Sequence, residues 1–189
     1  MNMGNIIELR KHKHKRTRHR NNNRGFGFGR IFGLLVLLIL AWYAYEFHLP
    51  RSSFSGHARI VDGDTIALNG KRVRFHAYDS PEIAQMCTDA NDKEYACGRA
   101  STQKLEEIIS GREVTCSQRK IDRYGRIVAT CSVDGKDIGF EMVRSGNAVA
   151  YFYYTWRLAP VHFEAMFLKK GMWAGSFTNP YLWRKAHKN

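Results

Sequence analysis

Absences set the first bounds on this 189-residue chain. Its four cysteines include no C-x-x-C pair, so the spacing that a thiolate zinc site needs is missing. No internal repeat is visible, which argues against a solenoid or propeller. Acidic residues are scarce, with 17 Asp/Glu against 30 Lys/Arg, for a formal net charge of +13. The excess is unevenly spread. Residues 1–30 hold nine Lys/Arg against one Glu, and residues 47–189 hold 21 against 15. The later part is therefore moderately basic by itself, which suits a polyanionic partner through counterion release and long-range attraction. Ordinary solubility charge is the competing explanation. The length allows one compact domain with an appendage rather than two full domains.

Residues 1–30 are low in complexity, with a Lys/His/Arg run at 11–16, three asparagines at 21–23 and Gly-Phe repeats. They read as a basic, disordered segment. Its cations suit a topology signal touching anionic headgroups, with nucleic-acid or metal binding as the sharper alternative. Ile31 to Tyr45 carries no charge, and continued to Phe47 the run is 17 residues. As a helix it would span roughly 26 Å, just short of a hydrocarbon core of about 30 Å. Trp42, Tyr43 and Tyr45 fall at its end, where aromatic rings favour the interface. With the basic cluster before it, residues 31–47 are expected to be an uncleaved transmembrane signal anchor. The N-terminus would then be cytoplasmic and the remainder periplasmic or extracellular. A cleaved signal peptide is the rival, though no small-x-small site precedes Pro50.

The cysteines agree with export, because Cys87, Cys97, Cys116 and Cys131 all lie beyond the apolar run, where disulfides can persist. Three pairings are possible. Cys116 and Cys131 stand nearly symmetric about Tyr124-Gly125, so a hairpin there would face them. Cys87 and Cys97 would then close a short loop. Buried free thiols are the alternative.

After a linker at 48–55, a domain is expected over 56–176, followed by a tail at 177–189. Strands are expected at 57–61, 65–68 and 71–78, with Asn69-Gly70 as a two-residue hairpin turn. A helix follows at 98–110, strands at 113–117 and 126–133, and a helix from an Asp137 cap to Arg144. Residues 147–154 look strand-like and 161–170 helical. Five strands with one helix between the third and fourth suggest an α+β, OB-fold Greek-key barrel.

Three clusters carry chemistry. Val61-Asp62-Gly63-Asp64-Thr65 places two carboxylates around a turn. Arg74-Phe75-His76-Ala77-Tyr78-Asp79-Ser80-Pro81-Glu82 delivers a cation and then two carboxylates. Asp122-Arg123-Tyr124-Gly125-Arg126 is a turn with two guanidiniums. Each is weak alone, since turns are often acidic or basic simply because they are solvated. Together they supply hard oxygen ligands for Ca²⁺ or Mg²⁺, a carboxylate to deprotonate water, and planar cations matched to phosphate oxygens.

In this order the clusters resemble the staphylococcal nuclease (thermonuclease) family. The likeness runs from about Ala58 to Trp173 and includes Ala150-Tyr151-Phe152-Tyr153 and Gly171-Met172-Trp173. The resemblance implies Ca²⁺ held by Asp64, Asp79 and the Ser80 carbonyl, with Asp62 holding a metal-bound water. Glu82 would be the general base, and Arg74 and Arg126 the phosphate clamp. Arg123, Tyr124 and Tyr151 would contact the nucleotide. It further implies cleavage of DNA and RNA at the 5′ P–O bond with little sequence preference, and no small-molecule cofactor. The chain departs from the type pattern in a shorter Asp64–Arg74 connection, in Ser80 where threonine is usual, and in a Cys87/Cys97 loop replacing a lysine-rich one. Arg126 is a poor acid, with an intrinsic pKa above ~12, so water is an equal candidate for protonating the leaving oxygen. Two other readings compete: a membrane-tethered, non-catalytic OB-type module that only binds nucleic acid, and a membrane-surface adaptor.

Overall fold

The computed structural model describes residues 28–48 and 52–187. The chain divides into two units, residues 1–49 and 50–189.

The first unit contains α1 (Phe28–His48), whose apolar side chains from Ile31 to Trp42 are exposed. Among the described residues, no helix is long and apolar enough to cross a membrane. The transmembrane anchor expected over 31–47 is thus not found. The uncharged run inside α1 is only 15 residues, with Arg30 before it and Glu46 after it, short of the ~20 that a span needs. The basic segment expected at 1–30 lies almost wholly outside the described residues.

The second unit is built on a closed five-stranded barrel. Its strands are β1 (Ser53–Asp62), β2 (Thr65–Leu68), β3 (Lys71–Phe75), β7 (Glu113–Ile121) and β8 (Ile127–Val133). Shorter strands are β4 (Tyr78–Asp79), β5 (Cys87–Thr88), β6 (Glu94–Tyr95), β9 (Lys136–Asp137) and β10 (Val149–Ala150). The helices are α2 (Cys97–Ile109), α3 (Ile138–Arg144), α4 (Ala159–Phe167) and α5 (Pro180–Ala186). Neighbours run β3-β2-β1-β7-β8, all antiparallel, and a parallel β3–β8 pairing closes the ring. Closure removes the open sheet edges.

Local chemistry explains the main turns. Asn69 and Gly70 both have positive φ, 50° and 75°, as the tight hairpin between β2 and β3 requires. Ile66, Leu68, Val73, Val114, Ala129 and Cys131 point inward, and Leu105 and Ile109 of α2 join Met142 and Val143 of α3 in the same core. Asp137 caps α3 by accepting from the Phe140 amide at 3.0 Å.

Cys116 and Cys131 stand opposite each other in the β7–β8 register and are bonded, as are Cys87 and Cys97. Two strand expectations shorten. The strand from Lys71 ends at Phe75, because Ala77 takes a φ of 79° and turns the chain into β4. Within 147–154 only Val149–Ala150 is strand, pairing with β4, and the chain then turns through the tyrosines. The segment beyond residue 176, read as a tail, carries α5.

Candidate active site

The barrel brings Asp64 and Asp79 together on one guanidinium. Asp64 sits where β1 turns into β2, and its carbonyl accepts from the Phe75 amide at 2.9 Å. That bond and the Thr65–Arg74 register place Arg74 beside it. Arg74 donates from Nη1 to Asp64 Oδ1 at 2.8 Å and from Nη2 to Asp79 Oδ1 at 2.7 Å. Asp79 is aimed there by β4, which β10 holds through Val149. Both carboxylates are buried, 4% and 2% exposed, so each depends on its partners for charge compensation.

Burial pushes the Asp64 carboxyl up to about 8; Arg74 opposes this, while Asp62, Asp79 and their negative charge reinforce it. Burial works against the charge of Arg74 too, but Asp64 and Asp79 outweigh it and hold the guanidinium above its ordinary value. Asp62 stands one step back and accepts from the Asp64 amide at 3.0 Å. Ser80 donates its hydroxyl to the Gly63 carbonyl at 3.0 Å, which ties the second carboxylate turn to the first.

Glu82 follows on the same loop. Gly98, at the start of α2, lies so close to the Glu82 backbone that a side chain there would collide with its carbonyl oxygen. Only glycine permits that approach, so α2 buttresses the Glu82 loop. Arg126 stands at the β7–β8 turn and lines the same cleft. Its Nε donates to Asp122 Oδ2 at 2.8 Å, and its guanidinium lies 5.5 Å from the Tyr124 ring. Arg123 lies 4.9 Å from the same ring. Tyr151 packs 5.0 Å from Tyr154, and its amide donates to the Ala77 carbonyl at 2.8 Å.

All ten residues singled out from the sequence, from Asp62 to Tyr151, line one cleft of about 1060 Å³. Contact is more selective. Arg74 touches both Asp64 and Asp79, whereas Arg126 is paired with Asp122 rather than with that group.

The donor set suits a hard cation. Two buried carboxylates converge with mutual repulsion, which a divalent ion would relieve. Among the described residues no three His, Cys, Asp or Glu side chains form a ready-made metal group.

One site residue escaped the sequence reading. Arg184, on α5, donates from Nη1 to Asp79 Oδ1 (3.0 Å) and Glu82 Oε1 (3.0 Å), and from Nη2 to Asp79 Oδ2 (2.7 Å). Burial disfavours its charge, but Asp79 and then Glu82 hold it above its ordinary value. The loop between β4 and α2 aims the helix. Buried Gln85 donates to the Thr178 carbonyl at 2.6 Å, and the Thr88 amide to the Ser176 carbonyl at 2.9 Å. Asn179 then caps α5 on the Tyr181 amide at 3.0 Å. The sequence signal was the Asn-Pro helix start followed by Tyr181, Arg184 and Lys185 at helical spacing.

Residues 72–175 match the family model described as staphylococcal nuclease homologue. The chain belongs to that family. Over 157 residues it is 33% identical to an uncharacterized endonuclease of Escherichia coli, covering 79% of this chain and 94% of that protein. It is 30% identical over 174 residues to a micrococcal nuclease of Shigella flexneri, covering 82% and 89%. A shorter match, 43% identical over 96 residues, is to the succinoglycan biosynthesis protein ExoI of Rhizobium meliloti. It spans only half of each chain.

Proposed function

We propose that this family member is a calcium-dependent, sugar-nonspecific nuclease that hydrolyses phosphodiester bonds in DNA and RNA. The observation that carries the reading is the Arg74 guanidinium bridging two buried carboxylates in a cleft that also presents Glu82 and Arg126. Endonuclease and micrococcal nuclease are the names of relatives matched over most of their length, which supports the same reaction class.

Asp64, Asp79 and the Ser80 carbonyl would hold the cation, with Asp62 orienting a water bound to it. A bound calcium supplies Lewis-acid polarisation of the phosphate. Glu82, about a third exposed, takes a proton from the attacking water. As the new P–O bond forms, Arg74 and Arg126 donate to the phosphate oxygens that gain charge. The P–O5′ bond breaks, and the leaving oxygen takes its proton from solvent. Arg123, Tyr124 and Tyr151 hold the adjoining nucleotide.

The deciding assay is plasmid and RNA cleavage by the full chain with calcium and with chelator. Glu82→Gln should lose on the order of 10²–10⁴ in rate, the usual worth of a positioned base. Cleavage at wild-type speed by that variant would remove Glu82 from its role, and DNA binding without any cleavage would favour the non-catalytic module.

We further infer that the domain works outside the cytoplasm. The two disulfides suit an oxidising compartment. Alkaline phosphatase fused after residue 187 should be active in cells; an inactive fusion would place the domain inside.

A further inference from the structure

The C-terminal helix shows the cleft one face with one kind of chemistry. Tyr181, Arg184 and Lys185 stand at i, i+3 and i+4, so they share a side of α5, and all three line the cleft. The helix carries no acidic residue. Arg184 reaches deepest, to both oxygens of Asp79 and one of Glu82.

A group that touches both the carboxylate assigned to the cation and the carboxylate assigned to the water lies within reach of the phosphate on which those two act. A divalent ion at Asp79 would also compete with Arg184 for the same oxygens and repel its charge. The anion then facing Arg184 in the cleft is the backbone of the substrate. Its planar fork matches phosphate oxygens as it now matches a carboxylate. An aromatic ring one turn away supplies the second element of single-strand recognition, a stacking surface.

We propose that α5 forms part of the nucleic-acid groove, with Arg184 as a third guanidinium on the phosphodiester backbone and Tyr181 as a stacking platform. Lys185 serves the adjoining phosphate. This rests on the nuclease reading and adds to it a substrate-binding element outside the residues matched to the family model, which end at 175.

The test uses the full chain and a short, fluorescently labelled single-stranded DNA. Kd is measured with calcium over a range of salt concentrations on a phosphorothioate strand that resists hydrolysis, and kcat and KM are measured with calcium on the ordinary strand. Arg184→Gln should weaken binding about tenfold and flatten the salt dependence by about 0.7 of a logarithmic unit, the worth of one phosphate contact on a single strand. KM should rise more than kcat falls. Arg184→Lys should restore the salt slope while recovering only part of the affinity. Tyr181→Ala should weaken binding about fivefold or more with the slope unchanged, and it tests the groove even if the Arg184 variants fold poorly. Lys104→Gln, on the exposed face of α2, is the charge control and should change neither.

Unaltered DNA affinity and salt slope in folded Arg184→Gln, with tighter calcium binding and faster cleavage at limiting calcium, would overturn the proposal. Arg184 would then be a competitor of the cation only. Wild-type protein that binds DNA but cleaves none would sink the nuclease reading while leaving these binding arms decisive. Wild-type protein that binds no DNA would sink both.

Discussion

Two groups of cleft residues are held in different ways. Asp64, Arg74 and Asp79 stand on or beside barrel strands, within sixteen residues of one another, and the strand ladders fix their directions. Arg184 and Tyr181 stand on a seven-residue helix hung from the Gln85–Thr88 loop, and Arg184 contacts its partners across more than a hundred residues of sequence. The first group is preorganised by the fold itself. The second is positioned by a few side-chain and loop hydrogen bonds, so it can give way at lower cost. Chemistry that must not move belongs with the barrel, and contacts that must adapt to a strand belong with α5.

The largest expected break falls on the barrel group. Arg74→Gln removes the cation between two buried carboxylates and leaves them facing each other. Loss of one partner from such a buried pair costs about 3–5 kcal/mol. Denaturant melting of the metal-free protein should show a drop of that size, with part recovered on adding calcium. Cleavage should fall about 10²–10³-fold, as for loss of one transition-state donor. Arg184→Gln should cost much less stability, because its side chain is 31% exposed and Asp79 keeps Arg74. Equal losses in the two variants would erase the distinction between the groups.

The same difference decided what could be read from the sequence. The barrel was legible because its signals are local: Asn69-Gly70 forces a hairpin, Asp137 caps a helix, and Cys116 and Cys131 straddle a turn symmetrically. The carboxylates and Arg74 fell within three short motifs for the same reason. Three features were not legible. Ala77 turns the chain at positive φ without being glycine, so β3 reads as longer than it is. Tyr151 to Tyr154 has strand composition, yet its aromatics pack on one another and on the cleft instead of joining a ladder. Arg184 reaches the site because the β4–α2 loop holds the segment before α5, Gln85 on the Thr178 carbonyl across 93 residues and Thr88 on Ser176, contacts that no spacing rule contains.

The disulfides offer the next test, since one lies in each region. Cys116–Cys131 staples β7 to β8 inside the barrel core. Replacing both with serine should cost about 3 kcal/mol, the entropy of a loop of some fifteen residues, and leave the KM of the surviving folded protein unchanged. Cys87–Cys97 closes the loop that holds the segment before α5. Its removal should cost slightly less stability but raise KM several-fold and speed amide exchange over residues 179–187. A KM effect from the barrel disulfide alone would show that α5 is not hung on the loop.

The last test follows a proton. Burial, reinforced by Asp62 and Asp79 against the pull of Arg74, raises Asp64 from 3.8 to about 8. A cation that needs the ionised carboxylate must displace that proton below about 8, so calcium affinity should rise with pH by up to tenfold per unit and level off above it. The metal-free protein should respond in the opposite direction. In the unfolded chain Asp64 ionises near 3.8, so between there and about 8 the folded state binds more protons. The stability this provides is fully present below 3.8 and lost as pH rises through about 8. Calorimetric calcium titrations from pH ~6 to ~9, with chemical denaturation at each pH, read both slopes. Opposite slopes would locate the proton on the barrel group. A calcium affinity flat across the range would mean that Arg74 already keeps Asp64 ionised, and that the barrel carboxylates are preorganised in charge as well as in position.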